Sequence, residues 1–190
     1  IAVTGALAGL ALIAAWLHAP LARELALLLA CGLPVFAMGL LEDLTKRVSP
    51  ISRLAAAAIS ALLASLVLGT VIDRTDIWGL DWIASTATGA VLLAVLAISG
   101  ISNAINIIDG FNGLASMCAE MIFLALAYVA FQVGDTLVFS LALAGAGAVL
   151  GFFVWNFPAG LIFLGDGGAY FLGFFVAELA ILLLHRNPTV

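Results

Sequence analysis

Residues 84–114 read ASTATGAVLLAVLAISGISNAINIIDGFNGL, and this stretch decides the fold. Its first part, to about residue 102, is an apolar run long enough to cross a lipid bilayer as a helix. From Asn103 onward it gathers three asparagines and one aspartate, and each would be costly if it lay unpaired in lipid. The stretch therefore predicts a membrane-spanning helix that ends in a polar segment at one membrane surface.

The composition extends this interpretation to the whole chain. Of its 190 residues 65% are hydrophobic and 9% are charged, and the mean hydropathy is +1.29. A soluble domain carries roughly 25% charged residues. We therefore predict an all-α, polytopic integral membrane bundle that forms a single domain over residues 1–190, with no soluble domain and no nucleic-acid partner.

Apolar runs bounded by polar, proline or glycine residues occur at about 1–17, 25–41, 54–72, 84–102, 114–132, 138–155 and 169–184. If each run crosses the membrane, the loops alternate between two sides. One side receives loops 42–53, 103–113 and 157–168, and the other receives 18–24, 73–83, 133–137 and 185–190. Ile1 already lies within an apolar run and there is no initiator Met, so we expect a fragment of a longer protein that lacks N- and C-terminal spans.

The first set of loops, here called the motif face, collects most of the chemically useful side chains. These are Glu42, Asp43, Lys46, Asn103, Asn106, Asp109, Asn112 and Asp166. The second set is called the opposite face. Each face carries three of the six Lys and Arg residues, but Lys46, Arg47 and Arg53 share one loop. That clustering favours a cytoplasmic motif face.

In the segment 103–114, read as helix, Asn103, Asn106 and Asp109 recur at spacings that place their side chains along one stripe. Gly110 permits a close backbone approach. Amides both donate and accept hydrogen bonds, so this stripe, with Asn112, suits a nucleotide or an acetamido sugar. The alternative is a polar loop that caps two helices.

Two other motifs supply carboxylates. Glu42 and Asp43 are adjacent at the end of a span, with Lys46 close behind, and such a pair can bind Mg²⁺, act as a base, or do both. Asp166 lies in a glycine-rich turn that opens onto a helix, where backbone amides and a helix N-terminus favour a phosphate group if a metal also binds. The alternatives are a solvated helix end and an ordinary turn aspartate.

Together these parts are the ones that Mg²⁺-assisted phosphoryl transfer requires, with Asp166 as the expected metal ligand. Glu120 and Glu178 lie inside spans, where a carboxyl group is either functional or bonded across helices. His18 and His185 fall on the opposite face, so we exclude them from the site.

The motifs NAINIIDGFNGLA, GLLEDLTK and FLGDGGAYFLGF resemble three loops of the polyprenyl-phosphate N-acetylhexosamine-1-phosphate transferases. This family includes the phospho-MurNAc-pentapeptide translocase and GlcNAc-1-phosphate transferases. The resemblance implies transfer of a sugar-1-phosphate from a UDP-sugar to undecaprenyl phosphate, with release of UMP and a requirement for Mg²⁺, or Mn²⁺ in its place. It also implies a multi-pass protein of the bacterial plasma membrane that serves the synthesis of cell-wall or lipopolysaccharide glycans.

By motif position, the resemblance implies catalytic roles for Glu42, Asp43, Lys46 and Asp109, and substrate binding by Asn103, Asn106, Asp109, Gly110 and Asn112, with the metal at Asp166. Glu42 stands where the family usually has aspartate, and Ala169 where a serine is common. The IIDGFNG form favours GlcNAc-like sugars, whereas direct attack and a covalent route stay open.

The expected partners are a UDP-N-acetylhexosamine, undecaprenyl phosphate and the lipid bilayer, and a homodimer stays open. Two other functions compete with the transferase. An ion-coupled transporter also uses membrane carboxylates, but it needs them near the middle of the bilayer. A catalytically inactive homologue that only binds lipid would be compatible with Glu42.

Overall fold

The computed structural model describes residues 19–188, with side chains from residue 22 onward. This part of the chain contains eight α-helices and no β-strand, which confirms the all-α prediction. In chain order they are α1 (Ala19–Cys31), α2 (Leu33–Thr45), α3 (Pro50–Leu68), α4 (Leu80–Ala84), α5 (Ala87–Ile108), α6 (Leu114–Val133), α7 (Thr136–Asn156) and α8 (Gly165–Arg186). The first predicted span, residues 1–17, and His18 lie outside the described residues.

Five of the described helices are long and apolar enough to cross a membrane: α3, α5, α6, α7 and α8. A sixth crossing exists if α1 and α2, which meet at a bend of 48°, count as one span. These helices confirm a polytopic bundle whose spans follow the predicted apolar runs.

The predicted run 25–41 is a bent span rather than a straight one. Gly32 separates α1 from α2, and Pro34 in the first turn of α2 has no N–H with which to continue the helical bonding of α1. Gly32 also packs against α8, where a Cβ atom would lie 2.5 Å from the ring of Phe171. The bend therefore follows from a missing donor and from a close helix contact.

Two helices extend further toward the motif face than predicted. Helix α5 ends at Ile108 rather than near residue 102, and α8 begins at Gly165 rather than near residue 169. Asn103 and Asn106 are therefore helical residues, and Asp166 lies in the first turn of α8 rather than in a glycine-rich turn. Both extensions are stabilised by side-chain contacts between helices, which no local pattern reveals.

Helix α3 is shifted by four residues toward the N-terminus relative to the predicted span 54–72, because it begins at Pro50 and ends at Leu68. Its start is set by Ser49, whose hydroxyl accepts the Ser52 backbone N–H at 3.1 Å, and by Pro50 at the first helical position. Its end is set by Gly69, which adopts a φ of +72°. These caps place Arg53 in the first turn of α3.

Helix α8 forms the centre of the bundle. Among the 18 most apolar consecutive residues of this helix, 89% are buried. Helix α8 contacts α2, α3, α5, α6 and α7. Glycines allow two of these contacts to be close: a Cβ on Gly39 would lie 2.5 Å from the Cα of Gly167, and one on Gly173 would lie 2.5 Å from the Cα of Ser102. The surrounding helices expose large apolar side chains on their outer faces, as lipid contact requires.

The described helices end on two opposite faces, as the loop alternation predicts. At the motif face, Asp43 at the end of α2 contacts the start of α8, and Gly113 at the start of α6 contacts Asn156 at the end of α7. At the opposite face, Arg186 at the end of α8 donates to Asp135, which precedes α7, at 2.7 Å. The fold thus brings together loops that are far apart in sequence.

Candidate active site

Asp43 caps the N-terminus of α8 from another helix. Its carboxylate accepts the Asp166 backbone N–H at 2.9 Å and the Gly167 backbone N–H at 3.0 Å. The positive end of the α8 dipole further favours a negative charge at this position. Gly165 is required here, because it has a φ of +71° and a Cβ on it would lie 2.6 Å from the Asp43 carboxylate. Asp43 therefore fixes the position of Asp166.

Asp166 is the central residue of a contact cluster, here called the Asp166 cluster, whose other members are Asp43, Arg53 and Asn106. One oxygen accepts from the Arg53 guanidinium, and the other accepts the Asn106 side-chain amide at 3.2 Å. The Arg53 side chain is 17% exposed and that of Asp166 is 26% exposed, so the pair lies partly below the surface. Helices α3, α5 and α8 thus each contribute one group to this contact.

Asn103 and Tyr170 form a second link between α5 and α8. The Tyr170 hydroxyl donates to the Asn103 side-chain oxygen at 3.1 Å, and the guanidinium of Arg53 lies 5.7 Å from the centre of the Tyr170 ring. Asn103 and Asn106 therefore face α8 on one stripe of α5, as their helical spacing predicts.

Asp109 follows directly after α5 and is half-buried. Burial, together with the negative charges of Asp166 and Asp43, raises the pKa of the Asp109 carboxyl from 3.8 to about 6. The charge effect places Asp109 in the same electrostatic cluster as the other two aspartates. A carboxyl group with this pKa can accept or release a proton near neutral pH.

Glu42 and Asp43 accept hydrogen bonds from different parts of the chain. The Glu42 carboxylate accepts the Val48 backbone N–H at 2.7 Å and stabilises the turn between α2 and α3. Lys46 lies nearer to the cluster, with its Nζ 3.7 Å from the Asp43 carboxylate and its side chain 69% exposed. The structure therefore joins Lys46 to Asp43, whereas the hydrogen bond that it gives to Glu42 belongs to the turn.

The remaining predicted residues lie between α5 and α6. Asn112 is exposed, and its amide donates to the Pro158 carbonyl at 3.3 Å. Gly110 is exposed, with nothing within 4 Å of an added Cβ. Both residues remain accessible from the motif face, but neither contacts the Asp166 cluster.

The sequence reasoning missed three residues of this region: Arg53, Asn156 and Tyr170. Asn156 is buried, accepts the Gly113 backbone N–H at 2.6 Å and donates to the Ile162 carbonyl at 2.8 Å. It thereby joins the loop after α5 to the loop before α8. Their sequence signals are weak: Arg53 is one of three clustered cations, and Asn156 and Tyr170 lie at the edges of apolar runs.

A cavity of about 500 Å³ opens beside the cluster, between α2 and the segment leading into α8. Its lining is mostly apolar and includes Phe36, Leu40 and Phe163, whereas Asp43 supplies a charged group. The cavity therefore offers an apolar surface that reaches a carboxylate.

A divalent cation fits this site only with few protein ligands. Within residues 19–188, no three His, Cys, Asp or Glu side chains lie close enough together to hold a metal. However, Asp43, Asp109 and Asp166 concentrate negative charge, as the raised pKa of Asp109 reflects. Mg²⁺ is commonly bound by one or two carboxylates, together with substrate phosphates and water. The donor set thus fits Mg²⁺ that binds together with a phosphorylated substrate.

The two intramembrane glutamates lie away from the cluster. Glu178 is fully buried in α8 and accepts from the Thr70 hydroxyl just beyond the end of α3. Glu120, in α6, has one buried carboxyl oxygen without a hydrogen-bond partner among the described residues. His185 lies at the end of α8 on the opposite face. None of these three contacts the Asp166 cluster.

Comparison with known proteins adds the family to this geometry. Residues 25–184 match the model of glycosyl transferase family 4. The chain belongs to that family. The resemblance seen in the three motifs is thereby confirmed, and the match covers every site residue named above.

Among the relatives of this family 4 chain is a probable undecaprenyl-phosphate N-acetylglucosaminyl 1-phosphate transferase from Bacillus subtilis (strain 168). It is 32% identical over 160 residues, which cover 82% of this chain and 43% of the relative. A phospho-N-acetylmuramoyl-pentapeptide-transferase from Streptococcus thermophilus (strain CNRZ 1066) is 38% identical over 93 residues, covering 49% of this chain and 27% of the relative. This chain thus spans less than half the length of these curated relatives.

Proposed function

We propose that this family 4 chain is part of an enzyme that transfers N-acetylhexosamine-1-phosphate from a UDP-sugar to undecaprenyl phosphate and releases UMP. The observation that carries the proposal is the contact of Asp43, Arg53 and Asn106 with the first turn of α8 at Asp166. It joins charge, amides and a helix N-terminus at one face, which is what phosphoryl transfer needs. We assign this motif face to the cytoplasmic side of the bacterial plasma membrane.

The reaction exchanges one phosphoanhydride bond for another. An oxygen of the lipid phosphate attacks the sugar-linked phosphorus of the UDP-sugar, and the bond from that phosphorus to the bridging oxygen breaks. UMP leaves with the electron pair. The new bond joins the lipid phosphate to the sugar phosphate, so no oxidant or further reactant is needed.

Each residue of the site has a role in the reaction that follows from its position. Asp109 accepts the proton of a singly protonated lipid phosphate, because its pKa of about 6 suits this task near neutral pH. Lys46 lies at the exposed edge of the cluster and neutralises charge on the phosphates. Asp43 holds the first turn of α8 in place, and the cavity beside it accepts the first part of the polyprenyl chain.

The nucleotide sugar lies against the α5 side of the site. Asn103 and Asn106 supply amides there, and Asn112 and Gly110 form the accessible loop beyond them. When bound at Asp166, Mg²⁺ or Mn²⁺ supplies neutralisation of the diphosphate charge. A GlcNAc-like sugar is favoured by the IIDGFNG form of the loop and by the N-acetylglucosaminyl relative, which matches 82% of this chain.

The test uses the full-length protein with undecaprenyl phosphate, Mg²⁺ and either UDP-GlcNAc or UDP-MurNAc-pentapeptide, and it measures UMP release. We expect release from UDP-GlcNAc and a loss of at least about 100-fold in Asp166→Asn, because the group that binds the metal is gone. Asp76→Asn is the matched control, since Asp76 is an exposed acid of the opposite face.

Two results would contradict the proposal. A wild-type protein that binds undecaprenyl phosphate but releases no UMP would be the inactive homologue. Unchanged turnover in Asp166→Asn would show that the cluster is not the active site. The transporter alternative is disfavoured because the clustered acids lie at helix ends rather than near the middle of the bilayer.

A further inference from the structure

Arg53 is the most buried of the three cationic residues of the motif face. It lies in the first turn of α3, and its guanidinium donates through Nη1 to a carboxylate oxygen of Asp166. Its side chain is 17% exposed, whereas the side chain of Lys46 is 69% exposed. The Nε atom of Arg53 is buried and has no hydrogen-bond partner among the described residues. The guanidinium therefore retains unused donor capacity at the site.

The aromatic ring of Tyr170 packs against the Arg53 guanidinium and limits its orientation. Its ring centre lies 5.7 Å from the guanidinium carbon, and its hydroxyl is bonded to Asn103. Guanidinium groups are attracted to the faces of aromatic rings, and such a contact keeps the plane of the group oriented. Arg53 thus contacts both the Tyr170 ring and the Asp166 carboxylate.

Asp166 faces two competing cations in the proposed reaction. Arg53 already pairs with one of its oxygens, and a divalent cation would take a position beside the same carboxylate. Two positive charges this close repel each other, which weakens the binding of the metal. The conflict is relieved if a phosphate arrives with the metal, because guanidinium groups bind phosphate oxygens through two parallel hydrogen bonds.

We propose that Arg53 is a phosphate-binding residue that exchanges partners: it pairs with Asp166 before a cation binds, and it turns to the diphosphate of the nucleotide once Asp166 holds the cation. The inference rests on the proposed function for its substrate class, a nucleoside diphosphate. Its consequence is ordered binding, since Arg53 disfavours a metal ion alone and favours a metal ion that arrives with its nucleotide.

The test measures two affinities of the full-length protein with Arg53→Gln. Mn²⁺ binding without nucleotide is followed by the loss of the free-ion signal in electron paramagnetic resonance, and UDP binding is followed by calorimetry at saturating Mn²⁺. We expect Mn²⁺ to bind about 5-fold more tightly, because the competing charge is gone. We expect UDP to bind about 10-fold more weakly, because a charged hydrogen-bond donor is lost.

The opposite signs of these changes separate the proposal from a purely structural role. Damage to the fold would weaken both affinities. Arg47→Gln is the matched control, since it removes an exposed arginine from the turn that precedes α3, and we expect it to change neither affinity by more than about 2-fold. Unchanged Mn²⁺ or UDP affinity in Arg53→Gln would overturn the proposal.

Arg53→Lys covers the case in which Arg53→Gln does not fold. It keeps the positive charge but lacks the planar fork, so we expect Mn²⁺ binding like that of the wild type and weaker UDP binding. UDP binding as tight as in the wild type would overturn the proposal.

Failure of the proposed function gives a different result from failure of this inference. If the wild type releases no UMP but both affinities change as expected in Arg53→Gln, the transferase reaction is wrong and the phosphate site remains. If the wild type is active and neither affinity changes, only the role of Arg53 is wrong.

Discussion

The carboxylate of Asp43, at the end of α2, accepts a hydrogen bond at 2.9 Å from the backbone N–H of Asp166, in the first turn of α8. One acidic residue of the site thus holds another in place through the backbone of the latter. The adjacent Gly167 N–H donates to the same carboxylate at 3.0 Å. Asp43 therefore positions the first turn of α8, whereas Asp166, which lies in a different motif, presents its carboxylate to the other groups of the site.

Asp43→Ala should impair both the fold and the reaction. Two N–H groups in the first turn of α8 would lose their acceptor, at a cost of about 1–2 kcal/mol in the free energy of unfolding. Displacement of Asp166 should lower UMP release by about 100-fold or more. Thermal unfolding in detergent and the UMP assay measure the two effects. Glu42→Ala, which removes only the bond to Val48, should lower UMP release much less; an equal loss would contradict this division of roles.

Asp109 predicts the acid limb of the pH profile. Its pKa is about 6, and as the proposed base it must be ionised to act. We therefore expect kcat/KM to fall by about 10-fold for each pH unit below about 6. Asp109→Asn should abolish this limb together with most of the activity. A profile that stays flat down to pH 5 would show that another group accepts the proton.

The same residue predicts a pH-dependent change in stability. The folded-state pKa of Asp109 is raised above 3.8, so its stabilising contribution is complete below about 3.8 and is lost as the pH rises through about 6. At pH 8 Asp109→Asn should be more stable than the wild type by on the order of 1 kcal/mol, allowing for solvent screening of the half-exposed carboxylate. Thermal unfolding at pH 5 and pH 8 tests this; a difference that does not grow with pH would contradict it.

Gly39→Ala should disturb the contact between α2 and α8. The added methyl group would lie 2.5 Å from the Cα of Gly167, and backbone atoms cannot move aside as a side chain can. We expect a loss of about 1–3 kcal/mol in the free energy of unfolding. Gly147→Ala is the matched control, since nothing lies within 4 Å of its added Cβ. Equal stability of the two variants would show that this close approach is not needed.

Asp135→Asn should destabilise the opposite face and leave the site intact. Burial alone would raise the pKa of the Asp135 carboxyl, but hydrogen bonds from Arg186, Val138 and Asn187 hold that pKa below 3.8. Its stabilising contribution is therefore present at neutral pH and lost as the pH falls through the folded-state pKa.

We expect this variant to lose about 2 kcal/mol at pH 7, with a deficit that shrinks below pH 3.8. Mn²⁺ binding should be unchanged, because Asp135 and Asp166 lie on different faces. A deficit at pH 7 that is as large for the exposed acid variant Asp76→Asn would show that the Arg186 contact contributes nothing.

Much of the architecture follows from the sequence because membrane-spanning helices obey a local rule. Each span must satisfy its own backbone hydrogen bonds and must be apolar over about 20 residues. This rule located the described spans and placed Asp43, Asn106 and Asp166 on one face. It did not locate the helix ends: α5 continues to Ile108 rather than ending near residue 102, and α8 begins at Gly165, so that Asp166 is helical rather than part of a turn.

The sequence by itself determined the membrane fold, the two faces and the family, since these depend on composition and on short motifs. Only the tertiary structure decided which motif residues meet. Glu42 and Asp43 are neighbours in the chain, yet one stabilises a turn and the other caps α8. The pairing of Arg53 with Asp166 depends on how closely helices pack around α8, and this packing is the sum of many weak contacts that no single stretch of sequence encodes.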